Sequence, residues 1–466
     1  MKIFLKTEVT VDKYNLHEIR RKILIIMLPM ALEGLLQVLT GIASSAMVGR
    51  LTVEAISAQG ISDKVTNITY QLYRGIGIGL TVMTAQKYAQ SRKEECKRTY
   101  EQTVISLLGI TVGIVVVFYF FATTFLRIFT PDMELIAYAQ PYFKIAIFGL
   151  PAWCVVAVSA SFYQGIGDTV TPMKVVAAIN VFNIILGYML IFGKLGAPCL
   201  DYYGAAISIA VSRTLGAIIY LYLLYGKNGK FAQMGCRRKP SSELFSKNLK
   251  GVYTVGMPAA GEHINWYIGS IILSVIVMNY GTAYFSAYQL GLQAEGLIEV
   301  PPTGFSVAAT SLISSAIALN DRNLYRIYER EIKKICLGVT IITSCILIFK
   351  SELMMALLTD KPELIKIGMT YVIAMGFIQI PQNMSKINCG ILRSIGYKKT
   401  PMISHLFGTW IIRLPGAFFC GIIAKSPIEF IWLFVAADQL VRYLISFVIL
   451  KSKKVYDNFE KYAIED

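Results

Sequence analysis

The chain has 466 residues, of which 55% are apolar and only 16% are charged, and its formal net charge is +16. Soluble domains carry about 25% charged residues, so this composition excludes a disordered chain, a secreted disulfide scaffold and an ordinary soluble enzyme. The composition therefore indicates a membrane protein.

Apolar segments recur along the whole chain. Runs such as Leu107 to Phe121 and Ile335 to Phe349, with their flanking residues, reach the ~20 residues that cross ~30 Å of hydrocarbon. A backbone in lipid must satisfy its own hydrogen bonds, and the sequence lacks the short alternating strands of a barrel, so these segments predict helices. Breaks at Lys, Arg, Pro and Gly clusters predict twelve spans, at 23–48, 55–84, 101–126, 136–162, 172–193, 203–225, 252–279, 283–317, 335–358, 364–390, 402–424 and 428–450.

The basic residues predict the orientation of these spans. The N-terminal tail, alternate loops and the C-terminal tail hold 31 of the 45 Lys and Arg residues, the opposite loops hold seven, and seven lie inside spans. Positive residues collect on the cytoplasmic side, so both termini are predicted to be cytoplasmic, in a bacterial cytoplasmic membrane. Because the charge is spread over membrane boundaries, we expect no nucleic-acid partner.

An internal repeat divides the chain into two halves. Pro29-Met-Ala-Leu-Glu33 recurs as Pro258-Ala-Ala-Gly-Glu262, and the same offset maps Gly75 onto Gly304. Six spans in each half give both halves one orientation, which predicts two pseudo-symmetric bundles that expose a central cleft alternately to each side. The predicted parts are a tail (1–22), an N-terminal lobe (23–226), a basic linker (227–251), a C-terminal lobe (252–450) and a second tail (451–466).

Glycine, cysteine and histidine patterns favour structural roles over chemistry. Gly75-Ile-Gly77-Ile-Gly79 lies inside a span without a preceding strand, which predicts close helix packing and not a phosphate loop. Gly165 to Pro172 predicts a tight loop with a capped helix start. Eight cysteines and three histidines show no metal-ligand spacing. We therefore expect no metal and no cofactor, and an enzyme is the least favoured class.

Carboxylates inside spans are the first candidates for function, because a buried charge costs about 2.5 kcal/mol or more unless it is paired or faces a cavity. Glu33 and Glu262 each lie one turn past a proline, and Glu295 and Glu299 share one face of span eight. Each is a candidate proton carrier. The alternative is a structural pairing role.

Polar residues of the C-terminal half predict a common network. Lys386 and Arg413 lie in spans ten and eleven, where they are expected to line the C-terminal lobe with His263 and the four-residue set Glu262, Glu295, Glu299 and Gln382. The alternative is a set of separate pairs, or side chains that reach the membrane boundary.

Charged residues of the N-terminal half sum to +2. They are Glu33, Asp63, Lys64, Arg74, Lys144 and Arg213. A basic cavity would suit an anionic substrate or a phosphate-bearing lipid head group. Pairing of these charges with one another is the alternative, so the charge of the substrate stays open.

Several motifs resemble the MATE family of multidrug and toxic compound extrusion transporters. They are Pro29 to Glu33, Ala46-Met-Val-Gly49, Gln86, Gln164 to Met173, and Leu190-Ile-Phe-Gly193 with Gly204-Ala-Ala206. The resemblance covers residues 25–450. It implies a V-shaped twelve-helix antiporter that expels organic, often cationic, compounds in exchange for protons or sodium ions.

The chain departs from the family pattern at its ion sites. Two family carboxylates of the N-terminal lobe fall on Ser44 and Gly187, whereas the family asparagine is kept as Asn183. In the C-terminal lobe, a family glutamate falls on Trp266 and a family aspartate near Gln382. The resemblance therefore implies that the usual N-terminal site lacks its negative charge, which disfavours sodium coupling there.

Together these observations predict an all-α integral membrane transporter with twelve transmembrane helices in two six-helix bundles. We expect a monomer in the lipid bilayer that exports a small organic substrate, driven by a proton or sodium gradient. Glu262 is the first candidate for proton coupling and Glu295 the second, followed by Glu33 and Glu299. Candidate cavity residues are His263, Lys386, Arg413, Asn183, Gln382 and Trp266. A flippase for an anionic lipid-linked precursor and a non-transporting membrane scaffold are the alternatives.

Overall fold

The computed structural model describes residues 15–48, 50–128, 132–194, 196–236 and 247–452. The predicted tails up to residue 14 and from residue 453, and residues 237–246 of the predicted linker, lie outside these described residues. In chain order the helices are α1 (Leu16–Val48), α2 (Val53–Ala89), α3 (Lys93–Phe120), α4 (Ala122–Arg127), α5 (Met133–Phe148), α6 (Leu150–Gly165), α7 (Val170–Phe192), α8 (Tyr202–Tyr225), α9 (Lys230–Gln233), α10 (Lys247–Met278), α11 (Thr282–Ala318), α12 (Arg322–Phe349), α13 (Ser351–Ala356), α14 (Pro362–Ser394), α15 (Thr400–Phe407), α16 (Leu414–Phe418) and α17 (Glu429–Lys451).

These helices account for each of the twelve predicted spans, so the predicted all-α fold class is confirmed. Within the described ranges, nine helices are long and apolar enough to cross a membrane, and α5 with α6 forms a tenth span that bends by 44°. The two longest helices, α2 and α11, have 37 residues each and carry polar and charged residues at mid-length. Their polarity marks them as candidates for a functional lining.

The chain forms two compact units, each with its own apolar cores. One unit is Leu32–Tyr267, and the other combines Met1–Ala31 with Ile268–Asp466. These boundaries fall inside α1 and α10. The lobes predicted from the sequence divide the chain at residues 226 and 252 instead, and that division stays a prediction.

A glycine seam joins α2 to the first part of α10 in the unit Leu32–Tyr267. A Cβ atom added to Gly75 would lie 2.1 Å from the Ala260 Cα, and one added to Gly79 would lie 2.2 Å from the Val252 carbonyl oxygen. The adjacent Gly77 faces Ser161 of α6 in the same way, at 2.3 Å from its Oγ. The predicted packing role of this glycine run is confirmed, because only glycine permits such close backbone approach.

The repeat is also visible at two equivalent turns. Gly167 and Gly396 both have positive φ values, of 81° and 93°, just before α7 and α15 begin. In the first turn, Asp168 Oδ1 accepts a hydrogen bond from the Thr171 backbone N–H at 3.1 Å. The chain thus builds the same helix start twice, and the capped loop predicted from the sequence is confirmed.

The beginning of α1 packs inside the other unit. Ile19, Ile23 and Met27 are buried in one apolar cluster with Phe305 of α11 and residues of α12 and α14. At the cytoplasmic end predicted for these helices, Arg20 Nε donates a hydrogen bond to the buried Glu331 Oε2 at 2.7 Å. This segment is therefore a packed part of that unit.

Replacement of Gly75 by alanine tests the glycine seam. The added methyl group would collide with the backbone of α10, so we expect Gly75→Ala to lower the free energy of unfolding by about 1–3 kcal/mol. Gly109→Ala is the matched control, because no atom lies within 4 Å of its added Cβ in the middle of α3. Thermal unfolding of both purified variants in detergent makes the comparison, and equal midpoints would contradict the seam.

Cysteine labelling tests the predicted orientation. Cys199 is exposed between α7 and α8, on the side predicted to face outward. A variant that keeps only Cys199 should react with a membrane-impermeant maleimide in intact cells. A second single-cysteine variant, Lys227→Cys, should react only after lysis, since this exposed residue lies in the predicted cytoplasmic linker. The native Cys236 is unsuitable as that control, because burial raises the pKa of its thiol and slows its reaction. The reverse labelling pattern would overturn the orientation.

Candidate functional site

Two neighbouring carboxylates of α11 lie in a hydrogen-bonded cluster with α14. Glu295 is buried and accepts hydrogen bonds from the Tyr371 hydroxyl and, at 3.2 Å, from Gln382 Nε2. The same Gln382 amide donates to Glu299 Oε1, and Lys386 Nζ lies 2.7 Å from that oxygen. The structure thus brings together four of the residues singled out in the sequence, and adds Tyr371.

The charge balance of this cluster allows it to take up a proton. Two carboxylates and one ammonium group leave one net negative charge when all are ionised. Glu299 and Lys386 retain 21% and 30% of their side-chain exposure, whereas Glu295 is 8% exposed. The cluster therefore joins a deeply buried carboxylate to a partly accessible ion pair through a single amide.

Arg413 lies in a different network, which is centred on Asp438 of α17. The Arg413 Nε lies 2.7 Å from Asp438 Oδ2, and Arg442 binds both oxygens of the same carboxylate at 2.5 and 2.6 Å. Arg442 also contacts His405 Nδ1 at 2.8 Å and Thr409 Oγ1 at 2.9 Å. Asp438 is fully buried, so it compensates two arginines inside the protein.

Sequence reasoning missed Asp438. Its signal is the i, i+4 spacing to Arg442 within the last span, which places both side chains on one helix face. The network is electrostatically connected to the carboxylate cluster, because the charges of both Arg413 and Glu295 act on the ring hydroxyl of Tyr288. Tyr288 in turn packs against Tyr371 and Trp432, with ring centroids 5.2 and 5.3 Å away.

Two π-helical segments shape the helix that carries Arg413. They are Gly408–Arg413 and Phe419–Ile423, on either side of Pro415, whose missing N–H interrupts the α-helical hydrogen bonds. A Cβ on Gly408 would lie 1.9 Å from Asp438 Oδ1, and one on Gly416 would lie 2.1 Å from the Phe434 ring. The missing side chains thus let the Asp438 carboxylate reach the backbone of this helix, and π-segments are frequent at functional sites.

The positions of the family's N-terminal ion site come together without a carboxylate. A Cβ on Gly187 of α7 would lie 3.3 Å from Ser208 Oγ of α8 and 3.4 Å from Met47 Cε of α1. Ser44 and Asn183 are buried in the same unit, and Asn183 Oδ1 has no hydrogen-bond partner among the described residues. The donor set is small and uncharged, which is a poor match for a sodium ion.

The unit Leu32–Tyr267 also holds a second group of charged residues around two stacked aromatic rings. Tyr70 and Trp153 stack with ring centroids 4.1 Å apart and planes 7° apart, and the Arg213 guanidinium lies 3.6 Å from the Trp153 centroid. The charge of Asp63 acts on Arg213. Arg213 is therefore stabilised by a cation–π contact and by an acid in the same unit.

Glu33, Glu262, His263 and Trp266 all belong to this unit. Glu33 and Glu262 are both 7% exposed, whereas Trp266 is 43% exposed. Glu262 and His263 each have interaction partners. The predicted network of the C-terminal half is thus divided: Glu295, Glu299, Gln382 and Lys386 form one cluster, Arg413 pairs with Asp438, and Glu262 and His263 lie in the other compact unit.

Comparison with known proteins identifies a family. The family model described as MatE matches residues 29–189 and 258–419. The two matches begin at the prolines that open the repeat found in the sequence. They cover more than half of the chain.

Individual relatives span nearly the whole chain. The chain is 27% identical over 456 residues to the probable multidrug resistance protein NorM of Thermotoga maritima, covering 97% of this chain and 96% of that protein. It is 24% identical to the uncharacterized transporter YisQ of Bacillus subtilis, covering 90% and 91%. A solved MATE structure in complex with MaL6 has 17% identity and a TM-score of 0.85, with 95% and 97% of the two chains aligned. An outward-facing multidrug resistance MATE family transporter of the MOP superfamily gives a TM-score of 0.83 at 17% identity, with 95% and 96% aligned. At this identity the structural likeness establishes the shared fold.

Substitution of Asp438 tests its role between the two arginines. Asp438→Asn leaves both guanidinium groups without their carboxylate, so we expect the free energy of unfolding to fall by about 3–5 kcal/mol. Glu429→Gln, at the exposed start of the same helix, should change it by less than about 0.5 kcal/mol. Thermal unfolding in detergent distinguishes the two, and an unchanged midpoint for Asp438→Asn would contradict the pairing.

Proposed function

The chain belongs to the MatE family, and from this premise we propose that it is a secondary active transporter that exports small organic compounds in exchange for a cation. Two kinds of finding support export. Relatives that match nearly the full chain are described as multidrug resistance proteins, and the shared fold is that of a described outward-facing transporter. Alternating access of two six-helix lobes is the mechanism that this repeat architecture serves.

The Glu295 cluster is the observation that carries our proposal for coupling, which is that protons drive export. Glu295 is a buried carboxylate whose two oxygens each accept a hydrogen bond, and it shares Gln382 with Glu299. One proton would neutralise this cluster, which removes the cost of its unbalanced charge in the membrane. Ser44 and Gly187 supply no carboxylate at the positions of the family's N-terminal site.

Glu262 is the first proposed proton carrier and Glu295 the second. Glu262 is buried in the middle part of α10, one turn after Pro258. It is the repeat equivalent of Glu33, and the two acids occupy the same place in the first helix of each half. A carboxylate near a helix-breaking proline is well placed to change its surroundings when that helix bends.

The contacts of the basic residues favour efflux over a lipid flippase. The flippase alternative depends on basic side chains in the spans that await an anionic head group. Lys386 pairs with Glu299, Arg413 and Arg442 pair with Asp438, and Arg213 stacks on Trp153. These four cations are therefore compensated within their own units.

Transport by purified protein in proteoliposomes tests the proposal. An imposed proton gradient should drive export of ethidium, and a sodium gradient of equal size should not. Glu262→Gln and Glu295→Gln should each reduce the proton-driven rate by about tenfold or more, as expected when a required proton carrier is lost. Glu352→Gln, at an exposed position of α13, is the matched control and should retain the wild-type rate.

Two outcomes would contradict this assignment. If the Glu262→Gln and Glu295→Gln double variant kept the wild-type proton-driven rate, these residues would not be the carriers. Export that follows only the sodium gradient would reject proton coupling itself.

A further inference from the structure

Glu33 is a buried carboxylate with one free oxygen. Its Oε1 accepts a long hydrogen bond of 3.4 Å from Gln37 Nε2, and its Oε2 has no hydrogen-bond partner among the described residues. The side chain is 7% exposed, in the interior of a membrane-spanning helix. A carboxylate oxygen in such a place is costly unless a ligand binds it.

Arg74 of α2 is the opposite charge nearest in kind to this acid. Its charge acts on the Glu33 carboxylate and on the Tyr70 hydroxyl, but no ion pair within 4.0 Å joins it to any described residue. The guanidinium is exposed, although it lies ten residues inside the predicted span 55–84. The two charges therefore face a common space and leave it unfilled.

Tyrosine side chains border this space. Tyr220 is fully buried, its hydroxyl has no hydrogen-bond partner among the described residues, and the charge of Glu33 acts on it. Tyr70 stacks one ring face on Trp153, and because Arg213 lies over Trp153 as well, the stack is closed on that side. The other face of Tyr70 is directed away from Trp153, towards the side on which a ligand would enter.

We propose that Glu33 and Arg74 bind a zwitterionic aromatic compound, with its cationic N–H group on Glu33, its carboxylate on Arg74 and its ring against Tyr70. This inference rests on the proposed export function and names its substrate class. A simple organic cation would satisfy Glu33 and leave Arg74 without a partner. A simple anion would do the reverse, so only a molecule with both charges satisfies both residues.

The repeat supports an assignment to the N-terminal half alone. The offset that maps Glu33 onto Glu262 maps Arg74 onto Thr303. The second half therefore keeps the acid without the matching cation. A site built from both charges exists once in the chain, and it is separate from the Glu295 cluster.

Two dyes that differ by one methyl group test this site. Rhodamine 110 carries a delocalised cation with amino N–H groups and a free carboxylate, and rhodamine 123 is its methyl ester. Fluorescence polarisation with the purified full-length protein should show about tenfold tighter binding of rhodamine 110, the discrimination expected from one charged hydrogen-bonded pair. Arg74→Gln should abolish this preference and leave the affinity for rhodamine 123 unchanged, whereas Glu33→Gln should weaken both dyes.

The control is Arg50→Gln, an exposed residue outside the spans, which should keep the full preference. Thermal midpoints of all variants verify that they are folded. Equal affinity of the wild type for both dyes, no binding of either, or a preference that survives Arg74→Gln would overturn the site. The ethidium assay separates this from the proposed function: gradient-driven ethidium export without the rhodamine preference rejects only the zwitterion site, and an Arg74-dependent preference without export rejects only the transport proposal.

Discussion

Charged side chains inside hydrocarbon must be compensated by the protein itself, and this constraint explains most of the polar geometry of the chain. In the unit that contains Ile268–Asp466, Lys386 pairs with Glu299 at 2.7 Å, and Asp438 pairs with two arginines at 2.5 to 2.7 Å. Each contact links one helix to another or locks one helix face. Compensation thus fixes both the electrostatics and the mutual register of the helices.

The same constraint makes the exceptions informative. Most buried ionised groups in the described residues have a hydrogen-bonded or stacked partner, so a carboxylate oxygen without one, as at Glu33, marks a place where a ligand belongs. The Glu295 cluster is a different kind of exception. It is fully hydrogen-bonded, yet it carries an unbalanced charge that one proton removes. One arrangement suits a substrate and the other suits a coupling ion.

The two halves share a scaffold but not their chemistry. Gly167 and Gly396 build the same turn twice, and Gly75 and Gly304 both admit close helix contact, with α10 and α1 respectively. The charges do not follow the repeat, because Thr303 stands at the position equivalent to Arg74. Duplication thus preserved the residues that the backbone requires, and the residues lining the interior were free to differ.

The sequence by itself determined the membrane location, the helices, the repeat and the family, because these follow from run length, local spacing and order along the chain. It also placed Glu295 and Glu299 on one face, since i, i+4 spacing is a property of a single helix. Only the tertiary structure decided the partners: Arg413 pairs with Asp438 instead of the Glu295 cluster, and Tyr371 joins Glu295. Those choices depend on which helix faces meet and on where glycines and π-segments let backbones approach, and neither is encoded in the spacing of residues along one helix.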